Sequence, residues 1–200
     1  MKKVTYLKLT TLSFIGLIML SGCAKMPQAE IDAAKIALES AKAAGADLYA
    51  KDVYISLQDS LNAVMVEVEA QKSKLFKNYD IAKVGLAGVA QYADEVKQIA
   101  ETHKEELKAE IQRTIDEVKT LIAANKELIL KAPKGKEGTS ALVAIKDELN
   151  TVEMTINEAS IMFDTGNYIA TLDKAKAAKV KASSINEELT EAIAKYKKRS

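Results

Sequence analysis

The sequence predicts an all-α protein of about five helices, arranged as an elongated antiparallel bundle of coiled-coil-like hairpins with one very long central helix. Apolar residues recur at alternating steps of three and four, which is helical spacing. No segment shows the strict alternation of apolar and polar residues that is typical of a strand. The 200-residue chain is also rich in Ala, Lys and Glu, and it contains no Trp and only two Pro residues.

The first two predicted helices form one hairpin. The first runs from about Pro27, a residue favoured in the first helical turn, to Gly45, and the second from about Ala50 to Leu75. Their apolar stripes are typical of coiled-coil seams. The residues expected to face inward are Ile31, Ala34, Leu38 and Ala41 in the first helix, and Tyr54, Leu57, Leu61, Val64, Val68 and Leu75 in the second.

The third predicted helix is the long central one. It starts near Tyr79 and meets no breaker before Pro133, so residues 79–131 give a helix on the order of 80 Å at 1.5 Å per residue. Val89, Val96 and His103 are seven residues apart, which places His103 on the inward stripe.

A loop and two further helices complete the predicted fold. The stretch "KAPKGKEGTS", residues 131–140, contains a Pro and two Gly and is predicted to be a loop. The fourth helix follows it, and the fifth runs from about Asn167 to Tyr196. The inward residues are expected to be Leu142, Ile145, Leu149, Val152, Ile156, Ala159 and Phe163 in the fourth helix, and Ala175, Ala178, Ala182, Ile185, Leu189 and Ala192 in the fifth.

Two segments resemble each other at an offset of 88 residues. "LQDSLNAV", residues 57–64, aligns with "IKDELNTV", residues 145–152, and an Asn-Tyr pair follows each segment, at Tyr79 and at Tyr168. Internal duplication is one explanation of the likeness, and chance agreement between Ala- and Lys-rich helices is the other. In either case each copy is expected to be a helical hairpin that turns at its Asn-Tyr.

The domain organisation follows from these hairpins. We expect a short linker at residues 23–27, an N-terminal hairpin bundle at residues 28–105 and a C-terminal one at residues 106–200, which share the long helix 79–131. The polar stretch 101–113 is expected to separate the two bundles.

The first 22 residues have the pattern of a signal peptide. Lys2, Lys3 and Lys8 precede an uncharged run at residues 9–20. This run is too short to span a bilayer, which takes about 20 apolar residues. Residues 1–22 are therefore predicted to direct export.

The end of this segment, Leu20-Ser21-Gly22-Cys23, resembles the lipobox of bacterial lipoproteins. The resemblance implies cleavage between Gly22 and Cys23 and a diacylglyceryl anchor, of the palmitate type, on the Cys23 thiol. Ala24 stands where Asp would favour inner-membrane retention, so the resemblance favours the outer membrane, facing the periplasm. The alternatives are an ordinary secretory signal followed by a coincidental free thiol, or a Cys that is buried in a helix.

The segment "AKIALESAKAAGADLYAKDVYISLQDSL", residues 34–61, is similar to a family of uncharacterised bacterial lipoproteins that share a domain of unknown function. The likeness consists of an Ala-rich helix, Ala-Gly-Ala, a Tyr-Ala turn and an amphipathic helix. It implies a helical periplasmic lipoprotein without a known activity.

Charge and cysteine content narrow the range of partners. Lys and Arg number 29 against 28 Asp and Glu. Removal of the three lysines of the signal peptide leaves a net charge of about −2, so no nucleic-acid partner is expected. Cys23 is the only Cys, which excludes a disulfide within the chain.

Few residues suggest chemistry, and we predict no catalytic, metal or cofactor site. His103 is the only His, and a zinc site needs several N or S donors. Glu105 and Glu106 are expected to lie on a solvated helix face. The glycines of "GLAG", residues 85–88, indicate close helix packing or a place where a ligand approaches the backbone.

The basic C-terminus, "KYKKRS" at residues 195–200, resembles the end through which an abundant outer-membrane lipoprotein is joined to peptidoglycan. That protein ends in Lys and this chain ends in Ser200. Basic residues that complement the helix dipole are the alternative explanation.

These observations predict a non-enzymatic envelope lipoprotein that acts as a structural spacer or docks a partner. The expected partners are the membrane, through lipidated Cys23, and an envelope protein or peptidoglycan. The alternative hypothesis is a periplasmic carrier of small molecules or lipids, in which the bundle opens along its Ala- and Gly-rich seams.

Overall fold

The computed structural model describes residues 24–133 and 136–198, and every regular element within these ranges is a helix. The predicted all-α class is confirmed. The count of about five helices is close, because the sixth is the four-residue α2. The helices are α1 Gln28–Ala43, α2 Ala46–Tyr49, α3 Lys51–Lys72, α4 Asp80–Lys131, α5 Lys136–Asp164 and α6 Tyr168–Lys197.

The chain divides into two compact units, with the boundary between His103 and Lys104. We call them unit 1 and unit 2. Each has its own hydrophobic core, and the long helix α4 contributes residues to both. All buried residues of the two cores lie between Ile31 and Leu189, so both cores lie entirely within residues 24–198.

Unit 1 consists of α1, α2, α3 and the first part of α4. Small side chains dominate its core, which lets the helices approach closely. The buried residues are Ile31, Ala34, Ala41, Ala46, Ala50, Tyr54, Leu57, Leu61, Val68, Tyr79, Ala82, Leu86, Val89, Ala93, Val96 and Ala100.

Unit 2 consists of the second part of α4 together with α5 and α6. Its core contains more Ile than that of unit 1, above all on α4. The buried residues are Ile111, Ile115, Val118, Ile122, Ile129, Ala132, Ile145, Leu149, Val152, Ile156, Ala159, Ala175, Ala178, Ala182, Ile185 and Leu189.

The two hairpins bury the same pattern of positions. In α4 the buried residues follow Tyr79 at steps of 3, 7, 10, 14, 17 and 21, and in α6 they follow Tyr168 at the same steps. The pairs are Ala82 and Thr171, Leu86 and Ala175, Val89 and Ala178, Ala93 and Ala182, Val96 and Ile185, and Ala100 and Leu189. The likeness between the two segments thus extends well beyond the residues that align in sequence.

Both hairpins turn at their Asn-Tyr pair, as predicted. The Asn78 side-chain oxygen accepts a hydrogen bond from the backbone N–H of Asp80 at 2.8 Å, which satisfies a donor at the start of α4. In the second turn, Gly166 adopts a left-handed conformation with φ of 82°, and the Asn167 carbonyl accepts the Thr171 hydroxyl at 2.6 Å.

Three predictions about individual segments are wrong. Leu75 is exposed rather than inward, because α3 ends at Lys72 and the buried stripe ends with it. Ala192 is exposed, and Ile193 packs on the core in its place, one step of four after Leu189. The loop predicted at residues 131–140 is shorter, since α5 already begins at Lys136.

The two glycines of "GLAG" lie in different surroundings. A Cβ atom on Gly85 would lie 2.9 Å from Cγ2 of Val64 on α3, so a side chain there would displace its neighbour. A Cβ atom on Gly88 would meet no atom within 4 Å. Close helix packing therefore explains Gly85 and does not explain Gly88.

This difference yields a paired prediction. Ala is about 1 kcal/mol more favourable than Gly in a helix interior, and Gly88→Ala should stabilise the protein by roughly that amount. Gly85→Ala should be at least about 1 kcal/mol less stable than Gly88→Ala, because overpacking against Val64 offsets the gain. Urea unfolding of both variants measures the difference. Equal stabilisation by the two changes would contradict the close contact between α3 and α4.

Candidate functional site

The predicted lipidation site lies outside the described residues. Leu20, Ser21, Gly22 and Cys23 all precede Ala24, where the description begins. Residues 24–26 are exposed and Pro27 is buried at the entry to α1. Cys23 therefore immediately precedes an exposed tripeptide at the start of unit 1.

His103 does not occupy the inward position that its spacing predicts. It is exposed, because the buried stripe of α4 stops at Ala100 and resumes only at Ile111. Its Nδ1 lies 2.8 Å from the carbonyl oxygen of Tyr49. Since a carbonyl only accepts, Nδ1 carries the hydrogen and donates it.

This hydrogen bond gives His103 a structural role. Tyr49 is the last residue of α2, and the last carbonyls of a helix have no partner within it. The imidazole thus closes the end of α2 against α4. Among the residues that the structure describes, no group of three His, Cys, Asp or Glu side chains could hold a metal ion.

Two of the other residues singled out in the sequence, Glu105 and Lys195, take part in local ion pairs. Glu105 pairs with Lys108 at 2.9 Å on the surface of α4, and Glu106 is exposed. Near the C-terminus Lys195 pairs with Glu191 at 3.1 Å, and Ser200 lies outside the described residues. Gly138 lies in the first turn of α5, where a Cβ atom would come within 2.6 Å of the Pro133 carbonyl oxygen.

A surface groove of about 910 Å³ lies between α4 and α6 in unit 2. Arg113, the only Arg in residues 24–133 and 136–198, lies on its wall. The lining residues are Ala109, Gln112, Arg113, Asp116, Glu117, Thr120, Leu121, Lys179 and Ser183. The groove therefore combines both signs of charge with small apolar patches.

An ion pair crosses this groove. The Lys179 Nζ lies 2.6 Å from a Glu117 carboxylate oxygen. The hydrogen bond from Lys179 lowers the pKa of Glu117 most strongly, burial opposes that effect, and the positive charges of Lys179 and Arg113 lower the pKa further. Glu117 is therefore ionised and held in place, which is unlike a general acid or base with a pKa near neutrality.

Five ion pairs connect different helices of unit 2. Two lysines of α6 pair with α4 and two pair with α5, and one lysine of α4 pairs with α5. The pairs are Lys126–Glu153, Lys174–Glu158 at 2.6 Å, Lys176–Glu110 at 2.8 Å, Lys179–Glu117 at 2.6 Å and Lys181–Glu148 at 2.8 Å. Each such surface pair contributes only about 0–1 kcal/mol, so the set serves mainly to fix which helix faces meet.

Unit 2 contains a buried network of side-chain hydrogen bonds that was not predicted from the sequence. Asn125 is fully buried, and its side-chain amide donates to the Ala182 carbonyl oxygen at 2.8 Å. Its side-chain oxygen accepts from the Asn186 amide at 2.7 Å. The available signal was its spacing, since Ile122, Asn125 and Ile129 follow one another at steps of three and four.

Comparison with known proteins finds no family model, no curated protein and no solved structure that matches this chain. The lipobox and the likeness of residues 34–61 to a lipoprotein family therefore stay predictions. None of the helices in residues 24–133 and 136–198 combines the length and the hydropathy that a membrane-spanning helix needs.

We predict that Asn125→Ala lowers the free energy of unfolding by about 2–3 kcal/mol, because it removes two hydrogen bonds and leaves a small cavity in the core of unit 2. Asn157→Ala, an exposed site on α5, is the matched control and should change it by less than about 0.5 kcal/mol. Urea denaturation measures both. A loss for Asn125→Ala no larger than that of the control would contradict the buried network.

The ion pair at the groove predicts a pH effect. Because the folded pKa of Glu117 is lowered, its pairing with Lys179 should stabilise the protein above the ordinary Glu pKa. That stabilisation should disappear as the pH falls through the lowered folded pKa. An NMR titration of the Glu117 carboxyl should show the depression, and Lys179→Met should raise the pKa. An unchanged pKa in the variant would contradict the pairing.

Proposed function

We propose that this protein is a non-enzymatic lipoprotein of the cell envelope, anchored through Cys23, that acts as a structural spacer or docks a partner close to a membrane. The observation that carries the proposal is the lipobox-like Leu20-Ser21-Gly22-Cys23 behind a basic and then apolar segment. We place the protein at the outer membrane, facing the periplasm. Peptidoglycan or another envelope protein is the proposed partner.

The anchoring part of the proposal has a physical basis. Stable membrane attachment takes two signals, since one acyl chain binds only marginally and reversibly. A diacylglyceryl group on the Cys23 thiol supplies two acyl chains. The exposed residues 24–26 supply a short connection between that group and the buried Pro27.

The docking part is supported by how the helical body uses its polar groups. Lys and Glu side chains of unit 2 pair between helices, and the His103 imidazole closes the end of α2. Apolar side chains, most often Ala in unit 1 and Ile in unit 2, fill the two cores. This leaves the exposed helix faces as the surfaces on which a partner can bind.

Metabolic labelling with an alkynyl fatty acid tests the anchor. The unaltered protein should be labelled and sediment with membranes, whereas Cys23→Ser should be unlabelled. As a matched control, Cys23→Ser combined with Ser56→Cys places a thiol on an exposed face of α3 and should also stay unlabelled. Equal labelling of the unaltered and Cys23→Ser proteins would contradict lipidation at Cys23.

Cross-linking in intact cells tests the docking role. A photoreactive residue placed in turn at exposed helix positions, such as Met154 and Val180, should trap one envelope protein or cell-wall fragment from a continuous surface. The absence of any trapped product at all exposed positions would contradict the docking role.

The groove between α4 and α6 favours a second candidate function, that of a carrier for a small anionic molecule or lipid. Arg113 could hold an anionic group while Ala109 and Leu121 contact an apolar part. Native mass spectrometry of non-acylated protein should then show a co-purifying ligand that Arg113→Gln loses. Ligand-free spectra of the unaltered protein would eliminate this function.

A further inference from the structure

The connection between α3 and α4 exposes two large apolar side chains. Residues 73–79, which we call the tip loop, contain Leu75 and Phe76, 86% and 82% exposed. These are the highest exposures among the large apolar residues that the structure describes. Ile81 and Val84, on the first turns of α4, are also exposed and lie three residues apart.

The turn between α5 and α6 is the equivalent turn of unit 2, and it shows that such a hairpin can form without exposing large apolar side chains. Only three residues separate α5 from α6, against seven in the tip loop. Its aromatic residue, Phe163, packs against the core and meets Tyr168 edge-on at 5.4 Å. The additional length of the tip loop thus presents Leu75 and Phe76 to the outside.

The tip loop lies at the end of unit 1 where the chain enters. α4 runs from the tip loop towards His103, and His103 contacts Tyr49 in the connection between α1 and α3. That connection therefore lies the length of α3 away from the tip loop. Because α1 leads into the connection and contacts α3, α1 runs back along α3 and begins on the side of the tip loop. The proposed anchor at Cys23 precedes α1 by only a few residues.

Positive charge surrounds the exposed apolar pair. Lys72, Lys74 and Lys77 flank it, and the only acidic residue between positions 72 and 80 is Asp80. Lys72 also pairs with Glu69 on α3 at 3.3 Å, and both side chains of that pair are exposed. Lys25, two residues after Cys23, adds a further exposed positive charge. The equivalent turn of unit 2 carries no Lys from Ile161 to Ile169.

We propose that the tip loop is a second membrane contact, in which Leu75 and Phe76 enter the interface of an anionic bilayer while Lys72, Lys74 and Lys77 meet lipid phosphates. Apolar side chains with flanking lysines are the combination that binds the membrane interface, because the lysine stems keep the charge among the headgroups. The proposal that this bilayer is the one that holds the acyl chains of Cys23 rests on the proposed function. The proposal that the tip loop binds lipid is independent of the proposed function.

A single fluorophore tests the contact, because the chain contains no Trp. Phe76→Trp is made in a non-acylated chain of residues 24–200, which contains both cores. The emission of the introduced indole should shift to shorter wavelength with phosphatidylglycerol vesicles, and brominated lipid should quench it. Ile36→Trp, on an exposed position of α1, is the matched control and should show neither effect.

Charge and apolar variants of the Phe76→Trp protein separate the two contributions. Each Lys near an anionic surface contributes about fivefold to affinity, so replacing Lys72, Lys74 and Lys77 by Gln should weaken vesicle binding by about 100-fold. Leu75→Ser, at a fully solvated position, should weaken it about tenfold at constant fold, which circular dichroism verifies.

Unchanged emission of the folded Phe76→Trp protein on anionic vesicles would overturn the membrane contact, and so would cross-linking of the tip loop to a protein in place of lipid. The result of this test can be distinguished from the result of the test of the anchor at Cys23. A blue shift together with an unlabelled Cys23 in cells would reject the anchor and retain the tip loop. A labelled Cys23 with an unresponsive fluorophore in the tip loop would do the reverse.

Discussion

The fold depends on one repeated interaction, the burial of a narrow stripe of small and aliphatic side chains along each long helix. Ala is the commonest buried residue in unit 1 and Ile in unit 2, and Ala34, Ala93 and Ala182 are among the residues with no exposed surface. A buried Ala contributes little apolar area, so the helices must approach closely and the stabilisation must accumulate along their length. The Gly85 contact with Val64 shows how close that approach is between α3 and α4.

The two units share this pattern of buried positions and differ in the contacts and loops that are added to it. Unit 2 adds the Asn125 network inside and five ion pairs between helices outside, and these restrict how α4, α5 and α6 can register against one another. Unit 1 instead adds a long connection with exposed Leu75 and Phe76. The same pattern of buried positions is thus combined with polar contacts between helices in unit 2 and with an exposed apolar loop in unit 1.

Periodicity predicted the helices well because the buried stripe is itself the signal. It located the span of α4 to within one residue, and the Asn-Tyr pairs located both hairpin turns. It failed where an apolar residue continues the spacing beyond a helix end, as at Leu75, and where the stripe is interrupted, as at His103. It also missed Asn125, because a polar residue on a stripe resembles a break in the pattern until its partners are placed. The lipid anchor stays a prediction from four residues that lie outside the described chain.

The attachment of the chain to a membrane is tested most directly by the intact mass of the mature protein isolated from the cell envelope. We expect a polypeptide that begins at Cys23 and carries the added mass of a diacylglyceryl group on that residue. A chain that retains residues 1–22, or one that begins elsewhere with an unmodified thiol, would contradict the membrane attachment on which the proposed function depends.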